Sequence, residues 1–176
     1  MRRRTLFLAA LATVPALAAA PRIAPTVDHS LEPAVAASSF HVQLGDMLTA
    51  QQRFAAARMQ YEVAANIDRS DGILPTEALR RIANTFYFKG DYQNAREWLV
   101  ELAMEAGQYS DWEAQVWALA DAAWLADLAS DDAGFELHLG QVEKLLDTHY
   151  IRGARYKVRT MLLRDFTAFA PHLESW

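Results

Sequence analysis

Leu44-Gly45, Leu48, Phe54, Ala57 and Tyr61 return 38 residues later as Ile82-Ala83, Phe86, Tyr92, Ala95 and Leu99. The two series share an order: a small residue inside an apolar run, an aromatic after a break, a second small residue, then a large one. Small residues let two helices approach closely, and the aromatic after the turn fills the space between them. Lys89-Gly90-Asp91-Tyr92, followed by Ala95, marks one such turn.

Around these series the apolar period is helical from Ser38 onward, with no strand-like alternation. After Ser38 only Pro75 and Pro171 remain, both at boundaries. Breaks near Gln52, at Ser70-Asp71-Gly72, at Gly90-Asp91, near Gly107, at Ser130-Asp131-Asp132 and near Gly153 divide the chain into seven helices. Asp131 or Asp132 is expected to cap the helix that follows, where a carboxylate meets free backbone N–H groups.

The repeated series resembles the tetratricopeptide repeat, a helix pair of roughly 34 residues. The extra residues fall in the segment Asp71–Pro75, between the units. Repeat 1 keeps Ala64 at the last small position, whereas repeat 2 has Leu102 there, and both lack the family's closing proline. A third unit is degenerate. Its first helix aligns as Leu119-Ala120 with Ala123 and then runs long, and its second keeps the stripe Phe135, Leu139, Val142, Leu146 and His149. The resemblance implies an all-α fold: a right-handed α-solenoid of antiparallel helix pairs, with two clear units, one degenerate unit and a C-terminal capping helix. That cap runs from about Arg152 to Phe169, with Val158, Met161, Leu162 and Phe166 as its apolar residues.

The N-terminus has a different character. Arg2-Arg3-Arg4 precedes an apolar run, Leu6–Ala20, that ends in small residues. These are the parts of a secretory signal, with Ala16-Leu17-Ala18 as the cleavage signature. The run falls short of the roughly 20 residues that span a bilayer. Arg3-Arg4-Thr5-Leu6-Phe7 weakly resembles a twin-arginine signal. Residues 1–18 are therefore assigned as a signal peptide, 19–37 with Pro21, Pro25 and Pro33 as a flexible linker, and 38–172 as the helical repeat domain. The expected location is periplasmic or secreted, with no stable membrane span after cleavage. The chain has no cysteine, which excludes disulfide staples and thiolate metal sites.

Charge narrows the partners. The mature chain has 14 basic and 22 acidic residues, which argues against nucleic acid. Residues 91–147 hold 13 acidic and two basic residues, whereas residues 148–176 hold five basic and two acidic. Arg152, Arg155 and Arg159 are read as one basic face near Lys157 and Arg164. It either binds an acidic partner or an anionic envelope polymer, or holds the last helix against the acidic array, or only keeps the cap soluble.

In tetratricopeptide arrays the first helix of each pair lines a concave groove. Transferred by position, the groove residues are Val42, Asp46 and Thr49, then Arg80, Asn84 and Tyr87, then Trp117, Asp121 and Trp124. Each triplet has i, i+4, i+7 spacing and lies on one helix face. Arg80 and Asn84 offer half of a clamp for a peptide's terminal carboxylate, but Asp46 and Asp121 would repel that group. Tyr87, Trp117 and Trp124 either anchor a partner or fill gaps between helix pairs like Trp98.

Catalytic and metal-binding patterns are absent from the sequence. There is no glycine-rich phosphate loop and no HExxH. Asp127, Asp131, Asp132 and Glu136 lack the ligand spacing of a calcium loop. The histidines, His29, His41, His138, His149 and His172, form no ligand pair. The expected function is a non-enzymatic adaptor or scaffold that binds a protein or peptide through the groove, without cofactor or metal. The alternatives are a self-associating envelope component and a binder of anionic envelope polymer.

Overall fold

A computed structural model describes residues 32–165. Seven helices follow one another: α1 (Glu32–Ala50), α2 (Phe54–Ser70), α3 (Thr76–Tyr87), α4 (Tyr92–Gln108), α5 (Trp112–Leu128), α6 (Asp132–Thr148) and α7 (Ala154–Asp165). No strand occurs among the described residues, and no described helix is long and apolar enough to cross a membrane. From α1 to α6 each helix packs against the next in the chain, and α7 packs on α5. The signal-peptide assignment, most of the linker assignment and the end of the cap lie outside the described residues.

Local sequence sets the helix ends. Each of the six junctions contains one residue in the left-handed region: Gln52, Gly72, Gly90, Ser110, Ser130 and Gly153, with φ between 55° and 73°. The first five stop a helix, because a left-handed residue lets the chain reverse while its own amide donates to one of the last carbonyls, whereas α6 ends at an extended His149 and Gly153 stands directly before α7. Asp91, Asp111 and Asp131 then open α4, α5 and α6 by accepting the amides of Asn94, Ala114 and Gly134 at 3.3, 2.9 and 2.9 Å. Asp131 is thus the cap expected before α6. Arg96 and the Gly134 amide together hold its carboxyl below the usual carboxylate range.

Three boundaries differ from the sequence reading. Helix α1 begins at Glu32 and takes in residues assigned to the linker, although the first buried side chain described is Ser38. The break placed near Gly107 falls at Ser110. Gly107 lies inside α4, where an added Cβ would stand 3.0 Å from Gln115 Nε2, so it is a packing glycine and not a turn. Helix α5 does not run long. It has 17 residues, like α4 and α6, because Ser130 and Asp131 end one helix and start the next.

The main core runs through all seven helices, from Val42 to Val158. Helix α5 is its centre, burying Val116, Ala118, Leu119, Ala120, Ala122, Ala123, Leu125 and Ala126. A helix apolar on nearly every side must be enclosed, and α4, α6 and α7 all pack on it. A smaller cluster, Ala83, Ala95, Leu99, Ala122 and Leu125, joins α3, α4 and α5.

Arginines tie each helix to the next but one. Arg69 on α2 reaches Glu101 and Glu105 on α4. Arg80 on α3 pairs with Asp121 on α5, Arg96 on α4 with Asp131 before α6, and Arg81 on α3 with Asp46 on α1. The partners stand between 32 and 41 residues apart in sequence, about one repeat. These pairs are only partly exposed and each contributes on the order of 1 kcal/mol, so they align the helices more than they stabilise them.

Candidate functional site

The sequence-derived groove residues do come together around α3 and α5, though not as one open surface. Arg80, Asn84 and Tyr87 are on α3, and Trp117, Asp121 and Trp124 are on α5. Both triplets face a common channel because the two helices are joined by the Arg80–Asp121 pair at 2.5 Å. That pair divides the channel into two cavities.

One cavity, of about 140 Å³, is lined by Arg80, Ala83, Asn84, Tyr87, Leu99, Asp121, Trp124 and Leu125. Its aromatic wall is built by Tyr87, whose ring centroid is 5.3 Å from Trp124 and 5.9 Å from Tyr92. The second, wider cavity, of about 540 Å³, lies toward the helix starts. It is lined by Thr76, Arg80, Asp111, Glu113, Ala114, Trp117 and Asp121. Sequence reasoning missed Thr76, Asp111 and Glu113. The signal was there in part, since Thr76 opens α3 and Asp111 and Glu113 open α5 about one repeat later.

Arg80 is already engaged. Its guanidinium donates to Asp121, which sets a carboxylate beside the group that a carboxylate clamp would use. Burial pushes the Asp121 carboxyl above the usual carboxylate range, and Arg80 pulls it back. Asn84 is exposed at the rim. Trp117 and Trp124 are half-buried: each packs on a core cluster and each also lines a cavity. The choice between anchor and gap filler is therefore not exclusive. Each indole both packs on the core and borders a cavity.

The first triplet is different. Val42 is in the core. Asp46 accepts from the Tyr61 hydroxyl at 2.8 Å and pairs with Arg81 at 3.3 Å, and Thr49 lies 3.1 Å from the same hydroxyl. This network joins α1, α2 and α3, and neither channel cavity is lined by these residues. The first triplet thus joins helices, whereas residues of the second and third border the cavities.

The basic face is only partly assembled. Arg152 sits in the turn before α7 and not on the helix, and Arg155 is on α7 and pairs with exposed Asp147. The Arg159 side chain lies outside the described residues. The Arg155–Asp147 pair is the contact expected if the last helix is held against the acidic array. A further cavity of about 350 Å³ lies among α4, α5 and α6. It is bordered by Val100, Met104, Gln115, Leu119 and His149, and His149 stacks on Trp112 at 4.0 Å. Among the described residues no three His, Asp or Glu side chains gather as a metal-binding group.

No protein-family model and no curated protein sequence matches this chain.

Proposed function

We propose that the chain is an exported, tetratricopeptide-like adaptor that binds a protein or peptide reversibly in the channel between α3 and α5. In this reading the helix pairs form a right-handed α-solenoid, α1 to α6 make three units, and the α3–α5 side is its concave face. The signal-like N-terminus supports a periplasmic or secreted location.

The supporting observation is the double use of Tyr87, Trp117 and Trp124. Aromatic side chains held by the fold on one side and bordering a cavity on the other are rigid before binding, so little rotamer freedom is lost on contact. The charged lining, Arg80 and Asp121, is fixed by its own pairing and would set register more than affinity.

The test is capture in envelope extract with the chain from Ala19 onward, carrying a photo-crosslinking residue at exposed Asn84. A reproducible protein partner, lost when Tyr87 is changed to alanine in a folded variant, supports the adaptor reading. Crosslinking only to a second copy of the chain replaces it with self-assembly.

A further inference from the structure

We infer that the channel selects a cationic linear segment, with a lysine or arginine in the Trp117 cavity and an apolar side chain beside Tyr87 and Trp124. This rests on the groove reading above and names its partner class.

Charge carries the argument. The Trp117 cavity is bordered by three carboxylates, Asp111, Glu113 and Asp121, against one guanidinium, Arg80. Arg80 and Asp121 neutralise each other. Asp111 and Glu113 therefore give the cavity its sign. Both stand at the N-terminus of α5, where the helix dipole offsets only about half a charge. Asp111 spends one oxygen on the Ala114 amide, and a carboxylate accepts several bonds. An ammonium or guanidinium entering here meets two carboxylates beside the Trp117 indole. A terminal carboxylate meets like charge in the same place.

The rest of the channel fits the same ligand. The cavities share Arg80 and Asp121 as a common wall, so neighbouring side chains of one extended segment can reach both. The second is bordered by Leu99, Leu125, Tyr87 and Trp124 and suits an apolar group. The acidic excess of residues 91–147 adds a long-range field that draws in a cationic partner.

The experiment uses three acetylated, amidated peptides of equal length, each with one phenylalanine, and with two lysines, two glutamates or two glutamines. Binding to the chain from Ala19 onward is followed by calorimetry at low and high salt. The lysine peptide is expected to bind tightest and to weaken as salt rises. The double variant Asp111→Asn, Glu113→Gln is expected to weaken it about fivefold. Asparagine still caps α5, and circular dichroism checks the fold. The control Asp132→Asn, Glu136→Gln removes two charges at the start of α6 and should leave binding nearly unchanged.

Equal losses in both double variants would mean attraction to the acidic surface at large and would overturn the inference. Tighter binding of the glutamate peptide, lost in Tyr87→Ala, would overturn it while leaving the groove reading in place. If no peptide binds, the cationic selection fails, and the groove reading stands or falls separately on the Asn84 crosslinking.

Discussion

Gly45 lies directly beneath the ring of Tyr61. A Cβ added at Gly45 would stand 2.3 Å from Tyr61 Cε1 and 2.7 Å from Cζ. The ring cannot swing away freely, because its hydroxyl is held by Asp46 and Thr49. One repeat later the corresponding residues are Ala83 and Leu99, which share the smaller core cluster. The two units solve one packing problem with different volumes, no side chain against a large ring or a methyl against an isobutyl group.

Gly45→Ala is therefore expected to destabilise the fold by about 2–3 kcal/mol, despite alanine's better helix propensity. Adding Tyr61→Leu reproduces the Ala83–Leu99 arrangement and should recover at least half of the loss. Urea unfolding of the two single variants and the double variant measures this coupling.

Tyr61 also sets an alkaline limit. Burial pushes its phenol up to about 12, helped by the Asp46 hydrogen bond and charge and opposed by Thr49 and Arg81. A phenol that holds its proton more tightly when folded contributes fully below its ordinary pKa of about 10. That contribution is lost as pH climbs through the raised value. Stability should fall between pH 10 and 12 more steeply in the unaltered chain than in Tyr61→Phe, as read from the urea midpoint at several pH values.

Arg80→Ala should cost about 1–2 kcal/mol near neutral pH, because it leaves the Asp121 carboxylate in a half-buried site without its guanidinium. Asp121 is already pushed upward by burial, and without Arg80 it rises further. The carboxylate then takes a proton readily as pH falls, so the deficit should shrink toward acid pH. A deficit that stays constant with pH would show that the pair contributes packing and not charge.

The junctions predict opposite effects for glycine and alanine. Ser110→Gly and Ser130→Gly relieve left-handed backbone at φ near +55° to +58° and should each raise stability by about 0.5–1 kcal/mol. Gly90→Ala, with open space around its Cβ but φ at +73°, should lower it by about 1 kcal/mol. Thermal unfolding separates the two signs.

Trp117→Ala and Trp124→Ala should lower stability by about 2–3 kcal/mol each, less than full burial would give, and should weaken partner binding as well. Trp117→Phe keeps most of the packing and is the variant in which a binding defect can be read with little stability loss. Affinity and unfolding midpoint measured on the same samples separate the two roles.

The local features of this chain were written in its sequence. Helix period, the Asp91 and Asp131 starts, the glycine turns at Gly72, Gly90 and Gly153, and the repeat of small and large residues all act over a few residues, so the chain's own order reveals them. The Gly107 break was misread for the same reason: a glycine looks like a turn locally, and only the Gln115 side chain packed against it makes it a close contact inside α4. The sequence placed three triplets on helix faces, since the i, i+4, i+7 spacing fixes direction, and residues of two of them border the cavities.

What those faces meet was decided by tertiary structure. Arg80 and Asp121 are 41 residues apart, and their pairing sets a carboxylate against the guanidinium that a carboxylate clamp would use. Asp46 was placed in the groove by analogy between units, but Tyr61 and Arg81 draw it into a network beside the core. The sign of the Trp117 cavity depends on Asp111 and Glu113, which enter it only because α5 starts beside the start of α3. Sequence patterning specified the helices and their buried stripes, because those follow from backbone geometry and apolar period. The partners of each polar group depended on how neighbouring units stack, because charges respond to whatever lies within a few ångströms, however distant it is along the chain.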